Sequence, residues 1–267
     1  MRRGSWLSLV VLAWAACAVA HAEPVTRQSL DAALPRLDAL VRDAMARTGV
    51  PGIAIAVVHD GAVVHLRGYG VRAAGTTDAV DPDTVFPLAS VSKPMAATVI
   101  AALAGDGVLS WDDPVAKHDP GFRLADPRVG DVVTLRDMFA HRSGLPTLAG
   151  DLLEDLGYGR EEVLRRLRHQ RLTGAFRATY AYTNFGLTEA AVAAARAAGR
   201  SWEDLAAERL YRPLGMTRTT SRHAGFLAQA NRARPHVRGG GGWVVGPQRQ
   251  PDAQSPAGGV TSSVRDV

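Results

Sequence analysis

The chain is poor in thiols, in lysine and in long apolar runs. Cys17 is the one cysteine among 267 residues, which excludes a disulfide framework and any multi-cysteine zinc site. Lys93 and Lys117 are the only lysines among 31 basic residues. The other 29 are arginines, which do not release a proton in proteins. Past the N-terminus, no stretch is apolar over the roughly 20 residues that a membrane-spanning helix requires, and no stable membrane span is expected. The basic excess gives a formal charge of +5 and a pI near 9.9, but the arginines are scattered. They describe a solvated surface, and no nucleic-acid partner is expected. At 46% hydrophobic and 21% charged, the composition is that of an ordinary globular protein and excludes collagen, coiled coil and wholesale disorder.

Hydrophobic spacing sets out the elements. Leu30, Leu34, Leu37, Leu40, Val41 and Met45 recur with a helical period. Gly52–His59 and Ala62–Tyr69 are β-branched runs separated by Asp60-Gly61, the strongest short hairpin signal. Ser92–Ala104 reads as a helix closed by Gly105 and Gly107, and further helices are predicted over Thr134–Ala140, Arg160–His169 and Phe185–Ala198. Ser201 caps one more, with Asp204 at its third position and Pro213 as its stop. Glycines 239–242 read as a flexible loop, Gly258-Gly259-Val260 as the head of a final strand or turn, and Val260–Val267 as the entry to another helix. A helix, a hairpin and then a mostly helical middle make the fold class α+β rather than alternating βαβ units.

The chemistry concentrates on Ser90 and Lys93. Ser90-Val91-Ser92-Lys93 matches S-x-x-K where an extended Val85-Phe86 segment meets a helix. Positions i and i+3 share a helix face, so the Lys93 ammonium can lie beside the Ser90 hydroxyl. A helix N-terminus favours negative charge and disfavours a nearby ammonium, which pushes the lysine toward its neutral, basic form. The plain alternative is a Ser90 N-cap with Lys93 as a solvated first-turn residue. A second element is Tyr182-Thr183-Asn184. Residues two apart on an extended segment project to one side. The phenol there can shuttle a proton, and the amide can bond a substrate carbonyl. Here the alternative is an aromatic pair packed in the core, with Asn184 capping the next helix.

With their neighbours these motifs resemble the β-lactamase-related serine hydrolases, in particular the group of class C β-lactamases, D-alanyl-D-alanine carboxypeptidases and esterases. The resemblance also rests on Val50–Val57 through Arg67–Gly70, on Leu109–Val115, on Thr134–Pro146, on Pro213–Met216 and on Ser255–Gly259. It implies a β-lactamase/transpeptidase-like fold, with an antiparallel sheet flanked by helices and a mostly helical subdomain carrying the nucleophile. It also implies Ser90 as acyl-accepting nucleophile, Lys93 and Tyr182 as shared general base and acid, and Asn184 as the residue that orients substrate. The Ser90 backbone N–H would form half of an oxyanion hole. No cofactor or metal is implied, and the expected partner is a small-molecule or peptide substrate acted on by a monomer. The family's third motif, a Lys/His-x-Gly strand, and its last strands and C-terminal helix are not found. The chain is therefore expected to be the front part of a longer enzyme. A penicillin- or peptidoglycan-binding module that acylates without turnover, and an inactive fragment, are the rival expectations.

Other patterns carry less. Gly68-Tyr69-Gly70-Val71-Arg72-Ala73 fits G-x-G-x-x-A but follows a hairpin strand and opens no helix, against a dinucleotide site. His141 and Ser143 read as a structural turn, and Asp112-Asp113 as a surface turn. The absence of G-x-S-x-G and H-E-x-x-H argues against an α/β-hydrolase and a zinc protease.

Residues 1–22 read as a secretory signal, and residues 23–267 as the hydrolase domain. Arg2 and Arg3 precede an apolar stretch from Trp6 to Ala20, and Ala20-His21-Ala22 forms an A-x-A cleavage site. A periplasmic or secreted location follows. Cleavage after Ala22 removes two arginines, no acidic residue and Cys17, lowering the formal charge from +5 to +3 and leaving 245 of 267 residues. N-terminal sequencing of the exported protein is expected to begin at Glu23; a start at Met1 would overturn the signal reading.

Overall fold

The structure is a computed structural model, and it describes residues 25–267. The expected signal sequence, residues 1–22, and with it Cys17, lies outside the described residues. Helix α1 (Arg27–Thr48) opens with a capping box in which Thr26 and Ser29 bond each other's backbone, and ends at Gly49 in the left-handed region. β1 (Gly52–His59) and β2 (Ala62–Gly70) form the expected antiparallel hairpin. Its turn residues Asp60 and Gly61 both have positive φ, 49° and 73°, as a type I′ turn demands. Arg67 donates to Asp38 at 2.6 Å, and Tyr69 donates to the same carboxylate, so β2 is bolted to α1.

The glycines of this hairpin serve packing. The segment after β2 folds back across the strands, and its Val71 pairs with Ala79. A Cβ on Gly68 would collide with the Val80 carbonyl, and one on Gly52 with the Val71 carbonyl. The G-x-G-x-x-A pattern therefore records a close backbone crossing.

β3 (Val85–Pro87) leads through a 3-10 turn, Ala89–Val91, into α2 (Ser92–Gly105). Short helices follow: α3 (Val115–His118), α4 (Pro127–Gly130), α5 (Leu135–Phe139), α6 (Asp151–Asp155) and α7 (Arg160–Arg166). α5 starts on a Thr134/Asp137 capping box. α8 (Asn184–Ala197) is the central helix: Phe185, Leu187 and Ala190, Ala191, Ala193 and Ala194 are all buried. A helix apolar on nearly every face belongs inside a core, and its alanines let neighbours close around it. α2 presents Ala96, Val99, Ile100 and Leu103 to the same core, a stripe at helical spacing. A carboxyl is enclosed there. Glu189 of α8 is 2% exposed, and burial, then its bond to Asp119, hold its carboxyl well above the usual range. α9 (Trp202–Ala206) begins on the Ser201 cap that the sequence indicated, and α10 (His223–Leu227) follows.

Two segments differ from the sequence expectation. Glycines 239–242 form the tight turn of a hairpin between β4 (His236–Gly239) and β5 (Gly242–Val245), with φ of 58° at Gly240 and 88° at Gly241. Trp243 and Arg238 of this hairpin donate to the Thr48 carbonyl at the end of α1, at 3.1 and 2.9 Å. After α11 (Ser255–Gly258), residues Thr261–Ser263 form β6, which pairs antiparallel with β3, and a turn follows where a helix was expected. Thr220 bonds Thr261 from the other side, so tertiary pairing on both edges overrides the local helical signal. The described strands thus form three antiparallel pairs. No described helix is long and apolar enough to cross a membrane.

Gly68→Val is expected to destabilise the protein by about 1–3 kcal/mol through overpacking against Val80. Equilibrium urea unfolding checks this; an unchanged midpoint would refute the close-crossing account.

Candidate active site

The β3–β6 pair fixes the approach to Ser90. Leu88 N–H donates to the Val260 carbonyl at 2.9 Å, and Ala89 is held at a positive φ of 47°, a region that non-glycine residues seldom occupy. The Ser92 hydroxyl clasps this turn. It donates to the Ala89 carbonyl at 2.6 Å and accepts from Val260 N–H at 3.0 Å. The turn leaves Ser90 exposed two residues before α2. Beside Ala89 lies a cavity of about 170 Å³ whose lining includes Pro87, His223, Phe226, Gly258 and Gly259.

Lys93 is where the arrangement converges. Its Nζ donates to Ser90 Oγ at 3.2 Å, to Asn184 Oδ1 at 2.8 Å and to the Ala257 carbonyl at 2.8 Å. It sits 4.5 Å from the centre of the Tyr182 ring, and Tyr182 Oη is 2.5 Å from Ser90 Oγ. Burial lowers the Lys93 pKa, while the Tyr182 hydroxyl and the Asp151 charge oppose the shift. An ammonium satisfies all three acceptors. A neutral amine has two protons and one lone pair, and Asn184 Oδ1 and Ala257 are acceptors only in this placement. The lone pair then faces Ser90, the one of these three partners able to donate.

All four residues singled out in the sequence, Ser90, Lys93, Tyr182 and Asn184, meet in this one cluster. S-x-x-K puts serine and lysine on one face, and the extended Tyr182–Thr183 backbone turns into α8 at Asn184, so both tyrosine and amide reach the lysine. Asn184 Nδ2 donates to Asp151 Oδ2 at 2.8 Å. The reverse amide orientation would set its NH2 against the ammonium and its oxygen against the carboxylate.

Three contributors were not legible in the sequence: Asp151, the Ala257 carbonyl and the His141 side chain. Ser255–Gly259 marks the Ala257 turn without revealing that its carbonyl points at a lysine, and nothing local singles out Asp151. His141 is a turn residue, with φ of 55°. It also grips the Tyr182 segment: its carbonyl accepts from Ala181 N–H at 2.9 Å, and its Nδ1 accepts from Thr183 N–H at 3.2 Å. Its ring lies 4.7 Å from that of Tyr182 and 5.6 Å, edge-on, from that of Tyr180. An accepting Nδ1 places the imidazole proton on Nε2. Asp112 and Asp113 stay at the surface turn, bound by Arg136 and by Lys117 and His118 respectively. Among the described residues no cluster of three or more His, Cys, Asp or Glu is placed to hold a metal ion.

A serine–lysine–tyrosine cluster at the entry of a core helix, with the serine open to solvent, defines a class of serine hydrolase fold, and the comparisons give the family. The sequence profile of the family described as Beta-lactamase matches residues 37–267, and the chain belongs to that family. It is similar to Penicillin-binding protein 4 of Amycolatopsis lactamdurans, 35% identical over 62% of this chain and 44% of that protein. It is also similar to the D-alanyl-D-alanine-carboxypeptidase/endopeptidase AmpH of Escherichia coli, 28% identical over 82% of this chain and 57% of that one. An octameric penicillin-binding protein homologue from Pyrococcus abyssi superposes with a TM-score of 0.75 at 27% identity, covering 87% of this chain and 54% of the other. The fold is thus β-lactamase/transpeptidase-like, and the chain spans about half the length of these relatives.

Burial, and secondarily the Lys93 charge, push the His141 pKa from 6.5 down to about 4. Between those values the unfolded chain takes up a proton that the folded chain refuses, so the stability tied to His141 is complete above pH 6.5 and drains away toward pH 4. His141→Gln is expected to show a shallower loss of stability than the wild type across that window, measured by denaturant unfolding. Equal slopes would refute a neutral, buried His141.

Proposed function

We propose that the protein is an exported serine hydrolase that forms an acyl-enzyme on Ser90. The observation that carries this reading is the three-acceptor seat of Lys93, whose lone pair in the neutral form faces the Ser90 hydroxyl. The Ser90 proton passes to Lys93 Nζ as Oγ bonds the substrate carbonyl carbon, giving a tetrahedral oxyanion. The Ser90 N–H, at the entry of α2, supplies one donor to that oxygen. Tyr182, 2.5 Å from Oγ, protonates the leaving nitrogen or oxygen as the carbonyl–leaving group bond breaks, and Lys93 returns the proton to Tyr182. Water then repeats the sequence against the ester, freeing the acid and restoring Ser90.

The substrate class is an amide or ester: a β-lactam, a D-alanyl peptide or a small ester. The names of the relatives favour the first two, since the protein at 35% identity is called a penicillin-binding protein and another a D-alanyl-D-alanine carboxypeptidase/endopeptidase. The penicillin-binding name also supports the reading of acylation without turnover. A product burst with no steady-state rate would select that reading.

The test is labelling by a fluorescent penicillin and by a fluorophosphonate. Wild type is expected to be labelled at Ser90, and Ser90→Ala to lose at least about a thousandfold in rate. Lys93→Arg keeps the charge but cannot supply the base, and is expected to lose about a hundredfold or more. Full labelling of Ser90→Ala would overturn the nucleophile, and full activity of Lys93→Arg would overturn the base.

A further inference from the structure

The donors and acceptors around Lys93 are complete only if Asn184 keeps one orientation, and the residue holding it there comes from a separate element. Asp151 opens α6, directly after Gly150, whose φ is 93°. A Cβ at Gly150 would press on the Val163 and Phe185 side chains, so this turn is locked against the core and Asp151 cannot drift. Asp151 Oδ2 accepts from Asn184 Nδ2 at 2.8 Å. Its Oδ1 is buried without a partner, a cost that a surface cap would not carry. The same short helix also reaches the other branch of the lysine seat. Glu154 accepts from Gln254 and Arg249, and Gln254 immediately precedes α11, the helix that offers the Ala257 carbonyl.

We propose that Asp151 is a positioning residue for the acyl transfer: it fixes the Asn184 amide so that only Oδ1 meets Lys93. This rests on the reading of Ser90 and Lys93 given above. Two effects follow with different signatures. Loss of the acceptor frees the amide to rotate and present NH2 to Lys93, which disrupts the seat at every pH. Loss of the charge alone keeps the seat but makes the neutral amine easier to form, because an opposite charge favours the ionised partner.

The charged and titratable groups around the pair are few. Lys93 faces Tyr182 and the Asp151 charge, and its own charge bears on His141. Asp151 feels Arg249 from the loop before α11, Asp155 from its own helix and Lys93 from α2. Burial raises the Asp151 pKa, while the Asn184 bond and the two cations act against the shift.

The experiment compares the pH profile of Ser90 labelling by the fluorophosphonate in the full chain for wild type, Asp151→Asn and Asp151→Ala. Labelling requires the neutral amine, so its rate rises with pH through the Lys93 transition. Asp151→Asn still accepts from Asn184 through its carbonyl. Its acid limb is expected to move to lower pH, with a high-pH plateau within about threefold of wild type. Asp151→Ala is expected to lower that plateau by about tenfold to a hundredfold, as misplaced catalytic groups do. Thermal unfolding checks that each variant is folded; Asp151→Leu, similar in size and without an acceptor, carries the test if Asp151→Ala is not. A labelled wild type whose high-pH plateau is matched by that of the folded acceptor-free variant overturns the positioning role alone. A wild type unlabelled at Ser90 overturns the underlying reading as well.

Discussion

A primary amine withdrawn from water and surrounded by three oxygens is the constraint on which the rest of the structure depends. Burying an ammonium is costly unless its protons are matched, and here each has a partner: Ser90, Asn184 and Ala257. The partners come from the turn before α2, the start of α8 and the α11 turn, which lie far apart in sequence. Desolvation pulls the amine toward neutrality, and the Tyr182 hydroxyl and Asp151 pull it back. A group balanced in this way is suited to taking and returning a proton.

Rigid elements hold that balance. α8 and α2 contribute core faces and, at or near their N-terminal ends, functional side chains, so core packing and site geometry are one problem. The connecting backbone is strained where it meets the site. Ala89, His141 and Leu148 adopt positive φ of 47°, 55° and 58°, at a cost of about 1–3 kcal/mol each. Each is held by specific bonds: the Ser92 hydroxyl at Ala89, the Ala181 and Thr183 N–H groups at His141, and the Leu148 N–H on the Tyr182 carbonyl. These bonds also position Tyr182, whose ring covers the lysine.

The periphery follows a simpler logic. α1 and the β1–β2 and β4–β5 hairpins interlock through Asp38, Thr48, Arg67 and Trp243, and glycines sit where backbones cross. Arginine is the working cation of the surface, paired with acidic neighbours such as Asp83, Asp112 and Glu162. Exposed pairs of this kind add little stability individually. The excess of 31 basic over 26 acidic side chains, nearly all of the basic ones arginine, accounts for the basic pI.

The sequence by itself determined the elements whose causes are local. Asp60-Gly61 set the hairpin, Ser201 and Thr134 set helix starts, and the i, i+3 spacing put Ser90 and Lys93 on one face. The Tyr182–Asn184 pair was legible for the same reason, since two residues of separation fix direction on extended backbone. What only the tertiary structure decided was everything that depends on long-range pairing. Thr261–Ser263 became a strand because β3 and Thr220 flank it, and four glycines made a hairpin turn because strands on both sides found each other. The Ala257 carbonyl, the His141 ring and Asp151 joined the site because packing brought them there. A backbone carbonyl carries no sequence signal, and an aspartate gains meaning only from the group it faces. Local chemistry chose the reacting residues, while the folded core chose their hydrogen-bond partners and, through burial, their proton affinities.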